Sequence, residues 1–386
     1  MSLQFERQEY EQRISRARQA LKTRGLDALL IFAQESLYYL TGFDTTGFVF
    51  FQCAVLTADE RPIVLLTRRP DLLQAQRTSI IDDVRLWFDA VDADPSRELQ
   101  AILQELGLQG ARIGIEMNSF GLRASNYELV RRRLEPWCRL IDGSSAIQQL
   151  RVVKSPAELA YVRRAGRLAD DALSAMIDAS GPGAFEGNVA AAGAHVLLRG
   201  GCDPSPSGPV IGSGDRALLV RATTEYRNLD PVDQMTLEFA ASYRHYCVCL
   251  MRTIAIGSHN DKQRKMFEVT REALLAMTEA ARPGRPIGEI DEAHRAVFDR
   301  NGFGSSRMSA CGYSLGATFR PTWMDVPPML YAGNPMPIQA GMVLFLHAIL
   351  ADKEANLAMS LGHTIIISER SAESLSKLPL DYVIRH

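Results

Sequence analysis

The sequence predicts an α/β domain with a mixed sheet and flanking helices over residues 1–150, then an α+β domain with an antiparallel sheet over residues 151–386. Short apolar runs alternate with amphipathic segments through the first part, as a sheet covered by helices requires. Near residue 150 a helix-start signature marks a boundary. Beyond it two pairs of long helical segments bracket a strand pair, a helix-helix-loop-strand plan echoed in outline without repeated identity. At 386 residues and 46% hydrophobic content, the chain can fill two or three cores.

Residues 7 to 24 place Ile14, Ala17, Ala20 and Leu21 at helical spacing and stop at Gly25, so an amphipathic helix is expected there. Asp27 to Ala33 is a short apolar run suited to a buried strand. Further strand signals fall at Phe50 to Leu56, Pro62 to Leu66 and Arg112 to Ile115, with helical segments near 70–77, 96–106 and 122–134. In Ser155-Pro156-Ala157-Glu158 the serine can cap a helix and the proline suits its first turn. The glutamate, three residues after the cap, can close a capping box. Helices over 156–180 and 185–199 then lead to a Gly/Pro/Ser-rich loop at 200–216 and the strand pair around Glu238 and Cys249. A second helical pair follows at 260–281 and 287–301, parted by Pro283-Gly284-Arg285-Pro286.

Lys+Arg 43 against Asp+Glu 45 leaves a net charge of -2, without a basic stripe or charged tail, which argues against nucleic acid or an anionic membrane as partner. The first residues carry charges at helical spacing and lack an apolar h-region. No uninterrupted apolar run reaches the roughly 18 residues of a membrane span. A soluble cytoplasmic protein with a small-molecule substrate is the expectation. Six cysteines, Cys53, Cys138, Cys202, Cys247, Cys249 and Cys311, are scattered without a C-x-x-C pair, which disfavours a disulfide framework.

The most informative stretch is Thr236 to Thr253, TLEFAASYRHYCVCLMRT. Its carboxylate Glu238 and thiol Cys249 would face one cavity only if two strands fold back on each other. The stretch resembles the paired-strand motif of the creatinase and aminopeptidase P superfamily, the pita-bread fold, with the metal-binding aspartates replaced by Glu238 and Cys249. The junction string around Arg151-Val152-Val153-Lys154-Ser155-Pro156 is similar to that superfamily's domain boundary. On the same overlay Tyr313 stands where a metal-binding histidine would be, His347 at a metal-binding glutamate, and Gly362 at the bridging glutamate. Two hard cations held close together need several carboxylates, and this set offers one, so no metal and no other cofactor is expected. A single soft ion such as zinc on Cys249, His347 and Glu238 is the alternative that ligand type leaves open.

Within the superfamily the chain is most similar to a metal-free subgroup represented by ectoine hydrolase and creatinase. Glu238-Phe239, Tyr243-Arg244-His245-Tyr246, Met251-Arg252-Thr253, Cys311-Gly312-Tyr313 and Phe345-Leu346-His347 carry that likeness, together with Tyr39 to Phe43 and Gln52-Cys53 in the first domain. The resemblance implies a metal-independent hydrolase of a C–N bond in a small amidine, cyclic amidine or amide. The expected mechanism uses Glu238 as base or nucleophile and His347 to move the proton, with Cys249 as rival nucleophile and Tyr313 beside them. Arg221 stands where relatives have a proton-donating histidine. Because arginine stays charged it can bind a carboxylate or oxyanion but not shuttle protons. His363 is a further candidate for the missing histidine. Arg252, Arg320 and Trp323 are expected to hold substrate, as are Tyr39, Phe43 and Phe48, whose segment in related homodimers reaches the partner's site. A homodimer is therefore expected. Two other readings stay open: a peptidase-like scaffold that binds without catalysis, and a lyase or biosynthetic enzyme using the same carboxylate.

Overall fold

The computed structural model describes residues 3–221, 225–258 and 260–386 and divides into two compact units, Met1–Arg151 and Val152–His386. In the first unit the elements run α1 (Arg7–Thr23), β1 (Ala28–Ile31), α2 (Gln34–Thr41), β2 (Cys53–Thr57), β3 (Val64–Arg68), α3 (Leu72–Thr78) and β4 (Asp83–Trp87). They continue with α4 (Pro95–Glu105), β5 (Arg112–Ile115), α5 (Ala124–Leu134), β6 (Arg139–Asp142) and α6 (Ser145–Arg151). The six strands form one mixed sheet in the order β4-β3-β2-β1-β5-β6, antiparallel at β1/β2 and β2/β3 and parallel elsewhere. Every residue of β1 is buried because apolar clusters cover both faces. Periodicity and turn signals did not mark α2, α6, β4 or β6. Of these, β6 is short and half exposed, with polar ends, so its apolar signal is weak.

The second unit opens with α7 (Pro156–Asp178). The capping box forms as its residue types require: Ser155 Oγ accepts from Glu158 N–H at 3.3 Å, and Glu158 Oε2 accepts from Ser155 N–H at 2.8 Å. Next come α8 (Glu186–Arg199), β7 (Val210–Ser213), β8 (Asp233–Tyr243), β9 (Tyr246–Ile256), α9 (Asp261–Ala280) and α10 (Gly288–Arg300). The chain ends with β10 (Gly312–Ser314), β11 (Val343–Asp352), β12 (Leu357–Ile367), β13 (Ala372–Ser374) and β14 (Ile384–Arg385). A sheet of order β10-β11-β12-β9-β8-β7, antiparallel along this path, carries β13 and β14 at its side. The expected loop at 200–216 thus contains a strand, β7, whose four residues pair with β8.

Strand alternation divides this sheet into two faces. Leu344, Leu346, Ala348 and Leu350 of β11 and Met359, Leu361, Ile365 and Ile367 of β12 join Met266, Leu274, Met277, Ile290 and Phe298 of α9 and α10 in one core. The residues between them, Phe345, His347 and Ile349, therefore point to the other face. No helix among the described residues is long and apolar enough to cross a membrane.

Candidate active site

A two-residue turn, Arg244-His245, sets the register of the site. Both residues have positive φ (52° and 64°), the primed-turn geometry that matches the twist of paired strands. With Tyr243 paired to Tyr246, Glu238 falls opposite Met251. The row continues from Met251 to Gly362 and from Gly362 to His347. In the neighbouring row Cys249 lies beside Thr364, whose Oγ1 accepts from the Cys249 N–H and donates to its carbonyl, both at 2.9 Å. Thr364 pairs with Phe345, and Phe345 with Tyr313. Glu238, Cys249, Tyr313, His347 and Gly362 thus share one face.

That face borders a cavity of about 550 Å³ whose lining includes Glu238, Arg221, Met251, Tyr313, Trp323 and His347. Burial pushes the Glu238 carboxyl up to about 7, against the downward pull of Arg221 and of a hydrogen bond from Tyr313. Trp323 Nε1–H donates to Tyr313 Oη at 2.8 Å, which leaves the phenolic proton for Glu238 and Cys249, both of which interact with the hydroxyl. His347 sits at the end of its row with Nδ1 buried and without a hydrogen-bond partner among the described residues. Burial, and secondarily His294, lowers its imidazole to about 3, so it is neutral at ordinary pH and holds no proton ready to donate.

Several expected site residues do not line the cavity. Cys249 is fully buried and absent from the cavity lining. Burial, then Cys247 and Glu238, raises its thiol well above the usual range, which disfavours the nucleophilic thiolate. Arg252 pairs with Leu237 and so points to the opposite face from Glu238; its Nη1 donates to the carbonyls of Met251 and Gly362 at 2.8 and 2.9 Å. His363 also lies on that opposite face as a satisfied core histidine, with Thr278 Oγ1 3.0 Å from Nε2 and Ser374 Oγ 3.3 Å from Nδ1. Arg320 is exposed and lines a separate, largely apolar pocket of about 330 Å³ with Asp203 and Phe239. In the first unit Tyr39 and Phe43 are core side chains, packed in one apolar cluster, and Phe48 is buried at 6% exposure. Their burial there corrects the expectation that they present a surface to substrate. Met251 was missed, although its place opposite Glu238 follows from counting outward from the turn. Asp291 and His294, three residues apart on α10, were missed as well; their i,i+3 spacing was the available signal.

Residues 160–369 match metallopeptidase family M24, and residues 13–153 match the creatinase/prolidase N-terminal domain. The chain belongs to family M24. It is 26% identical to ectoine hydrolase from Halomonas elongata over 406 residues, covering 100% of this chain and 99% of that one. It is 28% identical to an Xaa-Pro dipeptidase from Pyrococcus furiosus over 232 residues, 60% of this chain and 65% of the relative. Among solved structures, dipeptidase PepE from Mycobacterium ulcerans superposes with a TM-score of 0.86 at 23% identity, covering 98% of this chain and 99% of that chain. The N-terminal domain of FACT complex subunit SPT16 from Cicer arietinum superposes at 0.79 with 16% identity, over 98% and 99%. The two-domain pita-bread architecture and membership of a hydrolase family are therefore established for this chain.

The M24 metal pair implied by the fold does not suit these residues. Glu238 is the single carboxylate among the five positions, and Phe345 blocks the position of the bridging glutamate. A Cβ on Gly362 would lie 2.7 Å from Phe345 Cζ and 2.9 Å from Cε2. Phe345 is completely buried, with the rings of Tyr313 and His347 at 5.4 and 5.5 Å, so it has little room to withdraw. Two adjacent divalent ions would lack the anionic ligands that offset their repulsion.

Proposed function

We propose that this chain hydrolyses a C–N bond in a small amidine, cyclic amidine or amide, using Glu238 as the reacting acid–base group and no metal pair. The observation that carries this reading is the buried Glu238 carboxyl, poised at about 7 in a cavity bordered by Tyr313, Trp323 and Arg221. Similarity along the whole chain to ectoine hydrolase supports the substrate class.

Ionised Glu238 takes a proton from water as the water oxygen bonds to the substrate's electrophilic carbon. The π electrons of that carbon move to its oxygen or second nitrogen, where the Arg221 guanidinium offsets the charge if the atom becomes anionic, or instead holds a substrate carboxylate. When the C–N bond breaks, its electron pair stays on nitrogen, and the proton held by Glu238 passes to it. One carboxyl near neutrality performs both transfers, so His347 serves as a neutral acceptor bordering the cavity rather than as proton donor. Tyr313, ordered by Trp323, holds the carboxylate in place.

Turnover of a panel of cyclic amidines, guanidino acids and N-acylated diamino acids tests this. Glu238→Gln should lower kcat by at least about 10²–10⁴-fold, the usual worth of a general acid–base group, while added Mn²⁺ or Co²⁺ changes nothing. Cleavage of Xaa-Pro dipeptides that depends on manganese would overturn the proposal. So would unchanged turnover in Glu238→Gln.

A further inference from the structure

Helix α10 and the residue preceding β10 bring Asp291, His294 and Cys311 together, with one ligand atom from each within 4.8 Å of the other two. His294 and Cys311 are completely buried and Asp291 is 3% exposed. None of the three lines the cavity, although the Cys311 carbonyl accepts from His347 N–H at 2.9 Å, which places the cluster behind the cavity wall.

The cluster's polar atoms are only partly paired. Oδ1 of Asp291 faces Nδ1 of His294 at 3.3 Å as an ion-pair contact, and the Cys311 thiol also interacts with this carboxylate, yet Oδ1 and Nδ1 are not aligned as a hydrogen bond and Nε2 of His294 has no hydrogen-bond partner among the described residues. A completely buried imidazole nitrogen without a partner is costly and needs an explanation. The other carboxylate oxygen, Oδ2, accepts from Ala332 N–H at 3.0 Å, which fixes the orientation of Oδ1. An imidazole nitrogen and a carboxylate oxygen at this separation, but not aligned with each other, are spaced like adjacent ligands of a tetrahedral ion. Bonds of about 2.0–2.1 Å give a ligand–ligand edge of about 3.3 Å.

We propose that Asp291, His294 and Cys311 bind one zinc ion, as a structural site distinct from the reacting cavity. Imidazole, carboxylate and thiolate together suit zinc, whereas magnesium and calcium avoid sulfur. Binding releases the Cys311 proton to solvent, and the thiolate and carboxylate then balance the dication. Without the ion, Sγ donates weakly to the Leu330 carbonyl at 3.7 Å, and the Arg307 guanidinium supplies positive charge near Asp291 and Cys311. A fourth position is left for water.

Full-length protein, stripped with a chelator and titrated with Co²⁺ and Zn²⁺, tests the site. The expected result is one equivalent bound, a thiolate-to-cobalt charge-transfer band, and a zinc X-ray absorption spectrum with one sulfur among nitrogen and oxygen ligands. Cys311→Ser should abolish the band, whereas Cys249→Ser and Glu238→Gln should keep it. Failure to take up either metal, a shell without sulfur, or a band that follows Cys249 would overturn the inference. Should Cys311→Ser not fold, the wild-type absorption spectrum decides alone. Full turnover without bound zinc in either the isolated or the titrated protein would sink this site and spare the proposed reaction; zinc bound as described without turnover would do the reverse.

Discussion

Replacing Glu238 by glutamine should make the protein more stable as it makes it inactive, and the gain should depend on pH. The carboxyl is raised from 4.5 to about 7 by burial, so the folded chain holds a proton that the unfolded chain releases. For a raised carboxylate pKa, stability is fully present below the unfolded value and is lost as pH rises through the folded one. Taking unfolded and folded values of 4.5 and about 7, ionisation costs the fold about 1 kcal/mol at pH 5 and about 3 kcal/mol at pH 8. Glutamine keeps an oxygen for the Tyr313 hydroxyl and carries no charge to desolvate. Relative to wild type, Glu238→Gln should therefore gain about 2 kcal/mol more at pH 8 than at pH 5, roughly 4–8 °C in Tm for a unit of this size. Thermal melts at both pH values, with Trp323 fluorescence reporting on the second unit, measure the difference. An equal shift at the two pH values, or a loss at pH 8, would refute the claim that this carboxyl is held near neutrality by burial.

The same titration predicts that kcat/KM rises with pH through about 7 as Glu238 becomes ionised, with Arg221 and Tyr313 as the ionisable groups acting on it; a profile flat from pH 5 to 8 would contradict its role as base. Cys249→Ser should keep activity within about threefold, less than 1 kcal/mol, because the thiol does not reach the cavity; steady-state kinetics showing a hundredfold loss would restore the thiol as nucleophile. Gly362→Glu should not create a manganese site and should cost about 1–3 kcal/mol through overpacking against Phe345, measured by calorimetric titration and denaturant unfolding. Ser155→Ala, which removes one half of the capping box, should cost about 1 kcal/mol and leave kcat unchanged; a larger loss would mean the junction helix depends on this serine beyond its cap.

Much of the second unit was legible because its determinants are local. Ser155 and Glu158 specify the start of α7 from four residues, and the long helices α9 and α10 carry enough turns for their apolar spacing to stand out. Glu238 and Tyr313 could be placed at one cavity from motif likeness. Arg252 could not, since likeness says which residues are present and strand parity says which way they face: Glu238 pairs with Met251, so the next residue along must point to the helices. The neutrality of His347 and the raised thiol of Cys249 were hidden for a different reason. Both depend on desolvation by elements distant in sequence, which no local pattern records. Tyr39, Phe43 and Phe48 illustrate the limit from the other side, because an aromatic destined for a core and one destined for a ligand have the same spacing.

The phenyl group over Gly362 has a consequence for anyone redesigning this protein. Restoring a bridging acid requires the ring on the adjacent strand to be cut down first, and that cut alone leaves a void between two aromatic neighbours. Either change made alone costs stability, by overpacking in one order and by a cavity in the other, so a return to chemistry based on paired ions needs both positions to change together.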